Sequence, residues 1–320
     1  MTTPIITAPG AYEGISNRDY HRNPNLLPGP SLSSSGAKVI LEQSPLHFWH
    51  NSPLNPNRPD EDDAEHFAVG KAAHDLLLLG GDWEKNYHVL PEGFAWNKTR
   101  QFEEAIAAAA HAKKAGKTLI KAADMALVKR IADRISSSAD ARNALLRGIP
   151  ELTLAWQDEL TGVWLRARPD HTPTTCMEAV ASIRVVPDLK LMAPTFCSPL
   201  GFSRAIDNFG FHISAGHYGE GIKQIFGKYP THHVHVVIEK EEPHTVSLYE
   251  LPAEDIERGR LLMRQAINVF AECQKRNHWP GYADRPMQVG LPVWARMRVD
   301  ESTETDLTKA IWGEAEQEQA

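Results

Sequence analysis

Cysteine is scarce in this chain: three in 320 residues, at Cys176, Cys197 and Cys273, with no Cys-x-x-Cys spacing. That excludes a disulfide scaffold and a cysteine-ligated zinc module, and it suits a reducing, cytoplasmic setting. Long apolar runs are missing too. The longest, the four leucines at 76–79, has the length of a core helix segment rather than a membrane span. The opening MTTPIITAPGAYEG has neither a basic n-region nor an apolar h-region, so no secretory signal is expected. There is no surplus of positive charge either: 34 Lys and Arg against 41 Asp and Glu leave a formal net charge of −7. Such a balance excludes a simple nucleic-acid coat, but it leaves room for a local basic groove that holds phosphates.

What is present describes a soluble globular protein, with 42% hydrophobic and 23% charged residues. The chemistry concentrates in residues 151–190, ELTLAWQDELTGVWLRARPDHTPTTCMEAVASIRVVPDLK. Two β-rich runs, LTLAW and VWLRAR, flank an Asp-Glu-Leu-Thr-Gly turn and predict a hairpin. The second run ends at Arg168-Pro169-Asp170, where proline stops the ladder and leaves Asp170 free to face a cleft. More carboxylates follow: Glu178, then Asp188-Leu189-Lys190. Two carboxylates can hold a hard divalent cation, and a lysine beside them can orient or activate an attacking water.

The rest of the chain supplies helices and a few strands. Serines 33–35 cap a short amphipathic helix carrying Val39, Ile40 and Leu41, and Ser44-Pro45 starts a second with His47, Phe48 and Trp49. Residues 51–64 form an exposed loop, and the HFAVGKAAHDLLLL segment places His74 on a helix. A strand is predicted around 87–90, and residues 101–146 are expected to be helical, with an alanine-rich first helix and a second around 122–135. This block contains a basic run from Lys113 to Arg147, in which Lys129, Arg130 and Arg134 are candidate DNA contacts together with Arg168 on the hairpin; its bland reading is a solvated helix face. An amphipathic helix with a break near Gly210 covers 202–218, and strands follow at 233–240 and 245–251. His233 and His235 share a face of the first of these strands, but without a nearby cysteine signature they are not read as a zinc site. A long helix spans 253–277, residues 278–299 are expected as a Trp- and Pro-anchored coil, and 301–320 form an acidic tail. The expected architecture is one α/β domain over 1–300, a small mixed sheet flanked by helices.

Taken in order and spacing, several segments carry a family resemblance over residues 12–298. They are YHRNPNLLPGPSLSSSGAKVILEQSPLHF, FAVGKAAHDLLL, GIPELTLAW, TGVWLRARPD, FGFHISAGHY, VVIEKEEPHTVSLYEL, and WPGY with LPVWA. The chain resembles the RecE-type exonucleases (the nuclease domain of exonuclease VIII), a phage-derived branch of the PD-(D/E)XK superfamily. The resemblance implies a Mg²⁺-dependent exonuclease, with Mn²⁺ able to substitute, that digests linear duplex DNA from the 5′ end. It also implies a ring-shaped tetramer, a single-strand annealing partner, a role in recombination, and a bacterial cytoplasm as the site of action.

Carried over by position, His74 matches the motif histidine, Glu151 a glutamate before the hairpin, and Asp170 the first metal-binding aspartate. His74 joins Asp170 and Asp188 in the metal set that the resemblance implies. Two departures matter. The Asp-x-Lys element is expected about ten residues after Asp170; Asp188 with Lys190 has the right letters but lies late, whereas Glu178 has the better spacing and lacks the lysine. Asp188 and Lys190 are preferred, with Glu178 as the alternative third carboxylate. Ser214 stands where many relatives carry glutamine, four residues before Tyr218. These departures keep two other readings in play: an inactive relative that binds DNA ends or a host or phage partner, and a metal-independent scaffold subunit.

Overall fold

The computed structural model describes residues 4–59, 72, 75–76, 86–90, 99–115, 117–145, 148–176, 184–283 and 285–304. The chain divides into two compact units, residues 1–281 and 282–320. The first is a mixed α/β arrangement of the expected class, with helices flanking mixed sheets.

Its N-terminal half builds a four-stranded sheet from β1 (Gly10–Tyr12), β2 (Ser31–Leu32), β6 (Thr153–Gln157) and β7 (Trp164–Ala167), ordered β1-β6-β7-β2. The predicted hairpin is β6 and β7, antiparallel with Trp156 opposite Leu165. Its turn is fixed by Asp158, whose carboxylate accepts from both the amide and the hydroxyl of Thr161. A second sheet runs β11-β10-β9, from β9 (Val185–Met192), β10 (His232–Glu239) and β11 (Val246–Glu250), with β9 and β10 parallel and His235 opposite Asp188. Pro187 sits inside β9 without breaking it because β9 is the end strand of this sheet. Two small pairs complete the set: β3 (Tyr87–Leu90) with β4 (Thr118–Lys121), and β5 (Ile149–Pro150) with β8 (His171–Thr172).

Serine caps start the early helices, the second and third where the sequence places them and the first, at Ser16, without having been expected. Ser16 caps α1 (Asn17–Arg22), Ser33 caps α2 (Ser34–Glu42) by accepting from the Gly36 amide, and Ser44 caps α3 (Pro45–Asn51) with Pro45 in its first turn. The block 101–146 is not continuously helical. α4 (Thr99–Lys114) and α5 (Ala122–Ser137) are separated by β4, because Thr-Leu-Ile-Lys finds a parallel partner in β3 and pairing overrides local helical preference. α6 (Ala139–Leu145) follows. The break predicted near Gly210 is real: α7 (Pro199–Asn208) and α8 (Phe211–Phe226) meet there, with Gly210 in the left-handed region at φ 59°.

α9 (Ala253–Arg276) packs along α8 at close range. A Cβ on Gly259 would lie 1.9 Å from the His212 carbonyl oxygen, and one on Gly216 would lie 2.7 Å from the Arg260 nitrogen, so glycine on both helices sets their separation. The main core runs from Leu154 and Leu165 of the hairpin through Val186 and Ile213 to Met263, Ile267 and Phe270. Trp279 closes its edge against Phe48 and Phe270. In the second unit, residues 293–299 are not coil as expected but part of helix α10 (Val293–Glu304), whose weak apolar periodicity gives no sequence signal.

Candidate functional site: a carboxylate and lysine pair on an end strand

The alternation of β9 decides which residues face the site. Val186, Asp188, Lys190 and Met192 share one face, and Leu189 lies on the other, in a cluster with Ile131 and Ile135 of α5 and with Val236 and Ile238. In the parallel pairing, residues in register share a face, so His233, His235 and Val237 join the Asp188 side. Helices α7 and α8 cover that side, where Phe202 and Phe211 pack with Met192 and Val237.

Asp170 reaches this strand from the end of the hairpin. Pro169 ends the β7 run, and the Leu189 N–H donates to Oδ2 of Asp170 at 2.6 Å, which ties the first carboxylate to the backbone between Asp188 and Lys190. Lys190 Nζ donates to Oδ1 of Asp188 at 2.7 Å and sits 5.0 Å from the Phe211 ring centre. Asp188 is 1% exposed. Burial, the largest single influence, would push its carboxyl up, but the Lys190 ammonium, with smaller contributions from His235 and His233, outweighs it and holds the carboxyl well below the usual range. Burial works against the charge of Lys190 in turn, and Asp188 and Asp170 together overcome it and raise the lysine above its ordinary value. The group is therefore an ionised pair at neutral pH.

His233 is pushed down to about 3, first by burial, and His235 is also lowered by burial. Both imidazoles are thus neutral, and Lys190 is the cation that stabilises Asp188. Oδ2 of Asp188, which Lys190 does not engage, lies 3.2 Å from His235 Nε2 without hydrogen-bond geometry. Two groups beyond the predicted set border the site. Tyr218 has its phenol pushed well above the ordinary value by burial and by Asp188 and Asp170, and its hydroxyl bonds with Ser34. Lys38 donates to the Phe209 carbonyl at 3.0 Å, and burial followed by Lys190 lowers it. Tyr218 was legible through the family motif. Lys38 was not, since nothing in the spacing of α2 marks it.

Glu151 lies next to Asp170 through its backbone. Its amide donates to the Asp170 carbonyl at 3.0 Å, with a left-handed φ of 47°, while its carboxylate is 3.8 Å from Arg168. Arg168 is committed within the fold: it donates to Asn17 Oδ1 at 2.6 Å and lies 4.6 Å from the Tyr20 ring centre. Lys129, Arg130 and Arg134 are exposed on α5, the helix packed on the opposite face of the β9–β10 sheet, so they are not brought to the carboxylates. His74 and Glu178 lie outside the described residues. Ser214 is buried on α8.

No curated protein matches this chain. One solved structure similar to it is that of a Eubacterium rectale protein described as "putative exonuclease". It has a TM-score of 0.53 and 11% identity, with 83% of this chain and 92% of that one covered. At that identity the likeness establishes shared fold. Residues 33–287 match the family model described as a PDDEXK-like domain of unknown function (DUF3799). The Asp170, Asp188 and Lys190 arrangement lies inside the matched segment, and the chain belongs to that family of PDDEXK-like domains.

Proposed function

We propose that the protein is a divalent-metal-dependent exodeoxyribonuclease acting on the ends of linear duplex DNA. One observation carries the reading: Asp188 and Lys190 stand on one face of β9, and the Asp170 carboxylate is hooked to the Leu189 amide between them. The site fits a hard dication by the chemistry of its donors, because Asp170, hooked at the Leu189 amide, and Asp188 both offer carboxylate oxygens. When bound, such a cation would polarise a phosphodiester oxygen and lower the pKa of a water. Asp170 and Asp188 would hold it. Lys190 remains protonated, so it acts through its charge, orienting the attacking water and stabilising developing negative charge at phosphate, rather than as a base. Tyr218 remains a neutral phenol that can donate to a phosphate oxygen.

Mg²⁺ as the working ion, digestion from the 5′ end, a ring-shaped oligomer and an annealing partner in recombination are the finer parts of the proposal. They rest on the resemblance of the ordered segments to RecE-type enzymes. The test uses one duplex in two forms, linear and covalently closed, each incubated with Mg²⁺ or Mn²⁺. Release of nucleotides from the linear form only, stopped by chelation, is the expected result. Equal attack on the closed circle would replace end-dependent digestion with endonuclease action, and no attack on either form would overturn the proposal.

A further inference from the structure

Beside the Asp188–Lys190 pair lies a cluster of buried polar atoms whose two histidines the nuclease reading does not use. His233 and His235 are 3% and 0% exposed, on the same face of β10. Among the described residues, His233 Nε2, both ring nitrogens of His235 and Oδ2 of Asp188 are buried without a hydrogen-bond partner. Their polar neighbours are one another, with His235 Nε2 3.2 Å from Asp188 Oδ2 and the His233 ring 5.0 Å from that of His235, while Phe202 and Phe211 lie 5.2 and 5.4 Å from the His235 ring. Folded proteins rarely leave one such group unpaired, and a cluster of them in an apolar wall calls for a ligand.

We propose that Asp188, His233 and His235 form a binding site for a first-row transition dication of the Zn²⁺, Co²⁺ or Fe²⁺ class, in addition to the hard-cation site at Asp170 and Asp188. One donor atom from each of the three residues can be chosen so that all lie within 4.8 Å of one another. Bringing them to about 2.0–2.1 Å from a shared ion requires shifts on the order of 1 Å. Two imidazoles and one carboxylate favour a borderline ion over Mg²⁺, which prefers oxygen donors. The two oxygens of Asp188 divide the work: Oδ1 stays with Lys190, and Oδ2 faces the histidines. The strand pairing explains how the site arises. His235 is in register with Asp188, and His233 is two residues away on the same face, so the parallel β9–β10 ladder assembles the donors from distant parts of the sequence.

The inference shares Asp188 with the nuclease proposal, so the test reads metal directly rather than activity. Metal-free protein is titrated with Co²⁺ and followed by visible d–d absorption, then competed with Zn²⁺ and with excess Mg²⁺. The expected result is one Co²⁺ per chain, displaced by Zn²⁺ and not by Mg²⁺. His233→Gln and His235→Gln should each weaken Co²⁺ by at least about 100-fold, since losing even an outer partner of a ligand costs about 10- to 100-fold. Asp170→Asn should keep the Co²⁺ spectrum. Thermal melting of each variant without metal controls for folding, and the wild-type stoichiometry stands independently of the variants. A folded wild type that takes up no Co²⁺ or Zn²⁺, or folded histidine variants that bind as wild type does, would overturn the inference. Inactivity on DNA with an intact Co²⁺ site would instead remove the nuclease proposal and leave this one standing.

Discussion

Replacing Lys190 with methionine isolates the electrostatics of the site without requiring any activity. Methionine keeps the length of the stem and its contact with Phe211 but removes the charge 2.7 Å from Asp188. Asp188 is 1% exposed and the cation bonded to it is then gone, leaving the more distant Lys38 and two neutral histidines around the carboxylate. Removing one partner of a buried pair costs about 3–5 kcal/mol, against a typical total stability of about 5–15 kcal/mol. At pH 7 in chelator, the urea midpoint should fall by about 1–2 M. The pH dependence should also reverse. In the wild type the Asp188 carboxyl is lowered, so its stabilisation is present above the unfolded value near 3.8 and is lost as pH falls through the folded value. In the variant, burial without the ammonium raises the folded value above the unfolded one, so the deficit shrinks as pH drops toward 4. Asp188→Asn combined with Lys190→Met should recover most of the loss. An unchanged midpoint, or a double variant as unstable as the single one, would refute the argument, because packing rather than charge would then be responsible.

Gly259→Ala should destabilise the protein toward the upper end of the roughly 1–3 kcal/mol range for overpacking, since the added methyl meets a backbone carbonyl that cannot give way; thermal melting checks this, and a shift under 1 °C would contradict it. Asp158→Asn should cost about 1.5–3 kcal/mol, because it removes the charge that accepts from Arg264 at 2.9 Å and from Thr161. Burial opposes the ionised form of Asp158, but the Arg264 and Thr161 bonds lower its carboxyl, so this stabilisation is lost on acidification, and the variant should show a flatter stability profile below pH 4. Reversing Lys129, Arg130 and Arg134 together to glutamate should leave DNA affinity and its salt slope within about two-fold, since the three lie across the sheet from the carboxylates. A steep loss would place the DNA path over α5 instead.

Local signals predicted local features. Ser33 and Ser44 became helix caps, Asp-Glu-Leu-Thr-Gly became a hairpin turn, and Gly210 became a helix junction, each because the deciding interactions span only a few residues. β4 was missed because its partner β3 is distant in sequence and helical propensity dominated the window around it. The order of the site was legible from the Pro-Asp and Asp-x-Lys letters, and the structure places Asp188 and Lys190 together within β9 next to Asp170. The lateness of Asp188 argued against that match on spacing, yet β9 carries it to Asp170, and as the end strand of its sheet it accepts Pro187. The meeting of His233 and His235 with Asp188 was invisible, because it depends on the register of a parallel ladder that the sequence does not encode locally.

The proposal that Asp170, Asp188 and Lys190 form the site of phosphodiester hydrolysis is tested most directly by single-turnover digestion of an end-labelled linear duplex. Wild type, Asp170→Asn and Lys190→Ala are compared in Mg²⁺, with folding of each verified by melting. The account predicts digestion by the wild type and a slowing of at least about 100-fold in each variant, the scale on which loss of one preorganised charge partner acts. A wild type inert in both Mg²⁺ and Mn²⁺, or folded variants that digest at the wild-type rate, would contradict it.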